Sequence, residues 1–218
     1  MRTPARLWRV LPLCAAAVSV LAACGSGGSG GAGASPSTAA PRTQQVHVSP
    51  VTAAGARVAG FRVTSRAAHA QCSAGSEAIG QAYRCFAGNT VYDPCWAEKA
   101  ASPTVLCVAE PWLHTAARLQ VSSPLGPIPA EGGGGPGEPW GLQLASGQRC
   151  VLAQGAHGTF DGKVVDYYCT PSLSLLRGLD RGSASWTARS VIDKSGRLSS
   201  GRTEQIAIVW YGNPGRFR

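Results

Sequence analysis

Acidic residues are scarce in this chain. Asp and Glu number 11 among 218 residues, against 20 Lys and Arg, and the formal net charge is +9. Long apolar runs are also missing, apart from one near the N-terminus, which excludes a polytopic membrane protein. Stretches free of Gly and Pro are short, because 28 Gly and 15 Pro punctuate the chain, and this excludes a coiled coil. Disorder throughout is excluded by 6 Trp, 5 Tyr and 4 Phe, which with many Val, Leu and Ile can fill a core. Several chemistries lack their motifs. No Cys pair has C-x-x-C spacing, which disfavours a thioredoxin-type site and a zinc ribbon. No H-E-x-x-H, S-x-x-K or P-loop pattern occurs, and there is no G-x-S-x-G nucleophile elbow, the match by letter at Gly27–Gly31 lying in the Gly/Ser stretch. No cofactor or metal site is expected.

What is present begins with an address. Residues 1–23 read as a lipoprotein signal peptide. Arg2, Arg6 and Arg9 make a positive start, and an apolar stretch from Val10 to Ala22 follows, broken only by Pro12 and Ser19. It falls short of the roughly 20 apolar residues that span a bilayer. Its end, Leu21, Ala22, Ala23 and Cys24, resembles the lipobox of bacterial lipoproteins. The resemblance implies that Cys24 becomes the first mature residue and carries a diacylglyceryl thioether, anchored to the cell membrane on its extracytoplasmic side. Each acyl CH2 buried in lipid is worth about 0.8 kcal/mol, so two chains hold firmly. Residues 24–45, rich in Gly, Ser and Pro, are expected to form a flexible tether. Residues 46–218 are expected to form one extracytoplasmic domain.

Cys14 lies in the signal and Cys24 at the lipobox, which leaves Cys72, Cys85, Cys95, Cys107, Cys150 and Cys169. An even number in an exported domain reads as three disulfides, with fifteen connectivities open. Pairing of neighbours is expected: Cys72 with Cys85, Cys95 with Cys107, Cys150 with Cys169. Loops of this size contribute about 3 kcal/mol each.

Strand-like alternation runs over 57–64, 81–86, 90–92, 104–108, 117–121, 140–145, 149–154, 163–169, 185–192 and 205–211. Gly88-Asn89 is a hairpin turn, and Asp93-Pro94 is expected to end its second strand. Residues 122–139 hold five Pro and six Gly and are expected to form a long loop. Asp161-Gly162 suits a type I′ turn pairing residues whose numbers sum to about 323, whereas pairing Cys150 with Cys169 needs a different register. The two are taken as exclusive, with a longer loop carrying Asp161-Gly162 on its return side. The fold class expected is mostly β: a disulfide-stabilised antiparallel sandwich or barrel-like domain with a long Pro/Gly loop.

The stretches Cys72-Ser-Ala-Gly-Ser76, Ala82-Tyr-Arg-Cys85, Gly88-Asn89, Tyr92-Asp-Pro-Cys95, Pro139-Trp-Gly-Leu142 and Gly147-Gln-Arg-Cys150 resemble a group of exported, uncharacterised actinobacterial proteins. The resemblance covers roughly residues 70–211. It implies an envelope address and a cysteine frame, and assigns no activity.

Candidate site residues are few. Glu-Pro-Trp occurs at 110–112 and 138–140, so Trp112 and Trp140 are a candidate ligand platform for a sugar or peptide, or else core residues. The carboxylate pairs Asp93/Glu98 and Asp161/Asp166 are weighed as acid and base, with Asp93 and Asp161 read rather as turn residues. His47, His69, His114 and His157 lie far apart. Basic residues concentrate late: Arg177, Arg181, Arg189, Lys194, Arg197 and Arg202 form a candidate patch, whereas charges cancel over 46–176. Such a patch attracts lipid headgroups or an anionic envelope polymer. Nucleic acid is not an expected partner, and nothing names a protein partner. The function expected is a lipid-anchored lipoprotein with a non-enzymatic binding or cell-envelope role. The alternative is a cell-envelope hydrolase with a site assembled near the 122–139 loop.

Overall fold

The computed structural model describes residues 41–99, 103–128, 138–169 and 172–212. The described residues form thirteen strands and no helix: β1 (Gln44–Val48), β2 (Arg62–Gly75), β3 (Tyr83–Ala87), β4 (Thr90–Ala97), β5 (Thr104–Cys107), β6 (Thr115–Val121), β7 (Gly141–Leu144), β8 (Arg149–Leu152), β9 (Thr159–Phe160), β10 (Lys163–Cys169), β11 (Leu173–Leu176), β12 (Thr187–Lys194) and β13 (Arg197–Gly212).

These make two closed sheets. Strands β2 to β6 close in sequence order, β2 meeting β6 in parallel (barrel 1). Strands β7, β8, β10, β11, β12 and β13 close when β13 returns to β7 (barrel 2). β1 adds in parallel beside the far end of β13, and β9 pairs with β10. The fold is the expected mostly-β, disulfide-stabilised barrel type, with these two parallel pairings added to the antiparallel ladders.

Period-two alternation explains how one strand serves two cores. Along β4 and β5, Cys95, Ala97, Val105 and Cys107 point into barrel 1, while Trp96 and Leu106 point to a second cluster shared with barrel 2. On β13 a bulge between Ile206 and Ile208 resets the parity. Ile206 and Val209 then fill barrel 2, and Ile208 and Trp210 face the shared seam.

The bridges join Cys72–Cys85, Cys95–Cys107 and Cys150–Cys169. Cys95 and Cys107 are directly opposed partners, as are Cys150 and Cys169. The Gly88-Asn89 hairpin forms, with Ala87 opposite Thr90.

Three expectations need correction. The strand at 57–64 begins only at Arg62, with Arg57 held by a single bridge to Val51, and it runs on to Gly75. Asp93-Pro94 does not end β4, which passes through that cis peptide bond to Ala97. The two registers around Asp161-Gly162 coexist. Phe160 faces Lys163 across the two-residue turn, while Cys150 faces Cys169 further out. The six residues 153–158 leave the ladder between them, so the register changes without either pairing being lost. Residues 122–128, the described start of the 122–139 segment, are loop as expected, and they lie on barrel 1, where Leu125 and Ile128 pack and Tyr83 Oη donates to the Gly126 carbonyl at 2.7 Å. Residues 129–137 lie outside the described part.

Candidate functional site

The seam between the barrels is built from aromatics. Trp96 of β4 and Trp140, just before β7, stand 5.6 Å apart by ring centroids, and Trp112 and Trp210 stand 5.2 Å apart. The two Glu-Pro-Trp segments meet here. Trp140 Nε1 donates to the Ala109 carbonyl at 3.4 Å, and a Cβ on Gly141 would lie 2.6 Å from Pro111 Cγ, so only glycine admits this approach. Trp140 is 1% exposed. Of the two readings of Trp112 and Trp140, ligand platform or core, Trp140 takes the core one. Trp112 is half-buried, with the Arg149 guanidinium 5.4 Å above its ring.

Beside the apolar seam runs a polar one that the sequence did not disclose. Ser76 and Glu77 follow β2, Arg84 lies on β3 and Asp93 on β4; Gln154, Gly155 and His157 come from the 153–158 excursion, and Asp166 from β10. Buried Asp93 accepts the Ser76 hydroxyl on Oδ1 and the Glu77 N–H on Oδ2 at 2.9 Å. Ser76 Oγ in turn accepts the N–H groups of Ala78 and Ile79, each at 3.0 Å. Gln154 donates to the Asp93 carbonyl, and Gly155 N–H to Glu77 at 3.3 Å. Glu77 also pairs with Arg84. His157 Nδ1 donates to the Val165 carbonyl at 3.1 Å, which places the neutral ring's proton on Nδ1. Its ring lies 3.7 Å from Asp166 and 3.9 Å from Glu77.

The carboxylates are thus engaged. Asp93/Glu98 is not an acid–base pair, because Glu98 accepts from Arg118 Nε at 2.6 Å. Asp161 sits in the tight turn at φ 52°, whereas Asp166 accepts from Arg177 Nε at 2.8 Å. A cavity of about 280 Å³ lies on barrel 1, bordered by Asp93, Glu110, Thr115, Gln154 and Cys107. Glu110 there accepts the Trp112 indole N–H at 2.9 Å.

Burial pushes the Asp93 carboxyl up to about 6, against the pull of the Ser76 and Glu77 hydrogen bonds and the Arg84 charge. The folded chain therefore holds this proton more tightly than the unfolded chain, whose ordinary value is 3.8. Stability from this group is complete below about pH 4 and is lost as pH rises through about 6. The full amplitude is roughly 2–3 kcal/mol. The melting temperature is expected to rise when pH is lowered from 7 to 5. A fall across that window would contradict this account.

The basic patch is half neutralised. Arg177 pairs with Asp166, Arg181 with Glu138 at 3.1 Å, and Arg202 with Glu204 at 2.9 Å. Arg181 also lies 5.0 Å over the Trp186 ring. Arg189, Lys194 and Arg197, on the β12–β13 hairpin, are exposed and have no carboxylate partner among the described residues. The six residues therefore do not act as one free cationic surface.

Of the histidines, His47 stacks on Tyr211 at 5.5 Å and His114 meets Phe61 edge-on at 5.3 Å. The lipobox residues Leu21, Ala22, Ala23 and Cys24 lie outside the described residues. Comparison of the chain with family models, with curated proteins and with solved structures finds no match.

Proposed function

We propose that the chain is an exported lipoprotein, anchored through Cys24 to the outer face of the cell membrane, whose double barrel is a non-enzymatic binding module. The observation that supports the binding reading is the polar seam. Its carboxylates and histidine are occupied in holding backbone and in ion pairs between strands, which is what a rigid scaffold requires and a general acid–base pair does not. The disulfide frame suits an oxidising compartment. Arg189, Lys194 and Arg197, which have no carboxylate partner among the described residues, offer the β12–β13 hairpin's cations to anionic headgroups or envelope polymer. Each cation near such a surface is worth about 1 kcal/mol, so three assist a lipid anchor and do not replace it.

The hydrolase reading rests on one feature, the cavity that brings Asp93 and Glu110 together beside Trp112. Loss of envelope-polymer cleavage on Glu110→Gln would favour it.

The test of the main reading is metabolic labelling with a fatty-acid probe. Cys24→Ala is expected to abolish label and to move the protein from membrane to soluble fraction. The soluble variant should bind anionic vesicles at low salt and release near physiological ionic strength, where the Debye length is about 8 Å. Arg189, Lys194 and Arg197 changed to Gln should remove that binding. Persistent label would overturn the anchor, and salt-independent binding would overturn the cationic face.

A further inference from the structure

The four sulfurs of barrel 1 form a chain from one cavity to another. Cys72 is bonded to Cys85, and Cys95 to Cys107. The Sγ atoms of Cys85, Cys95 and Cys107 all lie within 4.8 Å of one another, so the second bridge starts within reach of the first. Cys85 and Cys95 are enclosed at 0% exposure. The outer sulfur-bearing residues both meet cavities. Cys72 is half-buried and lines a cleft of about 370 Å³, with Gln71 and Ser73 beside it and Pro124, Leu125 and Gly126 opposite. Cys107 lines the separate 280 Å³ cavity. The wall of the Cys72 cleft is fixed, since Tyr83 holds Gly126 and Leu125 packs on the barrel core.

We propose that barrel 1 is a thiol–disulfide exchange site, in which a small thiol or a cysteine-bearing peptide entering the first cleft attacks Cys72 and the exchange passes through Cys85 to the Cys95–Cys107 bridge. This is an activity separate from anchoring and from binding by the β12–β13 hairpin. The incoming thiolate forms a bond to the Cys72 sulfur, and the Cys72–Cys85 bond breaks with its electron pair leaving on Cys85. A thiolate among apolar side chains is costly. An adjacent disulfide removes it: Cys85 attacks the Cys95 sulfur, and the Cys95–Cys107 bond breaks with its electron pair leaving on Cys107. Cys107 takes up the proton that the entering thiol gave up. One thiol is consumed and one appears. The two barrel bridges become a mixed disulfide at Cys72 and a Cys85–Cys95 bridge, so no external oxidant or reductant is needed beyond the entering thiol.

The polar seam's carboxylates already hold backbone and arginine groups, whereas the outer residues of the sulfur chain, Cys72 and Cys107, each line a cavity. The C-x-x-C spacing of familiar exchange sites is absent because these sulfurs come together across four strands and not along one turn.

The test uses the full native chain with glutathione as the probe, quenched with a maleimide and mapped by mass spectrometry of a non-reduced digest. Expected are glutathione on Cys72, a Cys85–Cys95 linkage and the maleimide on Cys107. A Cys85–Cys107 linkage with alkylated Cys95 would also support the transfer, with the exit moved by one sulfur. Glutathione on Cys72 with alkylated Cys85 and an intact Cys95–Cys107 bridge would overturn the relay, and so would the absence of any modification in the folded protein. In a Cys72→Ala, Cys85→Ala variant, opening of Cys95–Cys107 should slow by about tenfold or more, because the entry sulfur is gone. Unchanged opening in a variant that keeps the native near-ultraviolet dichroism would overturn the proposed route. The wild-type map decides the question if that variant does not fold.

Discussion

Trp140→Ala is expected to lower the unfolding free energy by about 3–5 kcal/mol, the range for deleting a large aromatic from a packed core. The side chain is 1% exposed and fills the seam with Trp96, Leu106, Val108 and Trp210. Its backbone is fixed from both sides, the N–H donating to Trp210 at 2.8 Å and the carbonyl accepting from Leu152 at 3.0 Å. The surroundings therefore cannot collapse into the space, and the cost stays near the upper end. Total stabilities of domains are about 5–15 kcal/mol, so the loss is a large part of the whole. The seam is the main apolar contact between the barrels, and its loss should also separate their unfolding. Guanidinium titration with hydrogen exchange is the measurement: peptides of β4–β5 and of β12–β13 should share one midpoint in the native chain and split in the variant. Trp112→Ala, at a half-buried position, should cost clearly less. Equal costs at the two positions would mean that the seam is not where the barrels are joined.

The contrast between those two tryptophans shows what was legible before the fold was known. The repeated Glu-Pro-Trp was visible as letters, and its burial was one of two readings. What decides it is Gly141 closing on Pro111, a contact between the two copies that no local pattern encodes. The strong alternations at 104–108, 163–169 and 205–211 all became strands, because β-branched and aromatic residues at period two suit a pleated half-buried surface. β11 is Leu-Ser-Leu-Leu and the body of β2 is Ser-Arg-Ala-Ala-His-Ala-Gln; both lack β-branched residues and are strands because neighbours pair with them. The polar seam was illegible for a topological reason. Glu77 and Gly155 are 78 residues apart, and only the docking of one barrel on the other brings them together. Counting charges along the chain likewise marked six late cations, but three have carboxylate partners, two of which, Asp166 and Glu138, lie in the earlier, neutral part.

Changing Cys150 and Cys169 together to Ala is expected to cost about 3 kcal/mol through the unfolded chain, given the sequence separation of 19. It should also loosen one particular register. Around Asp161-Gly162 the tight turn sets Phe160 opposite Lys163, while the bridge sets Cys150 opposite Cys169. Extending the turn's own register outward would instead place Gln154 opposite Cys169. The two registers differ by an even number of residues, so every side chain keeps its face and hydrophobic patterning does not choose between them. Two things hold the native choice: the bridge, and the docking of Gln154 and Gly155 on barrel 1 through the Asp93 carbonyl and Glu77. With the bridge gone, the second alone remains. Amide exchange at Val151, Leu152 and Tyr167 should accelerate more than at β12 or β13, and adding Gln154→Ala should accelerate it further. If exchange rose evenly across barrel 2, the bridge would be stabilising the barrel as a whole without selecting the register.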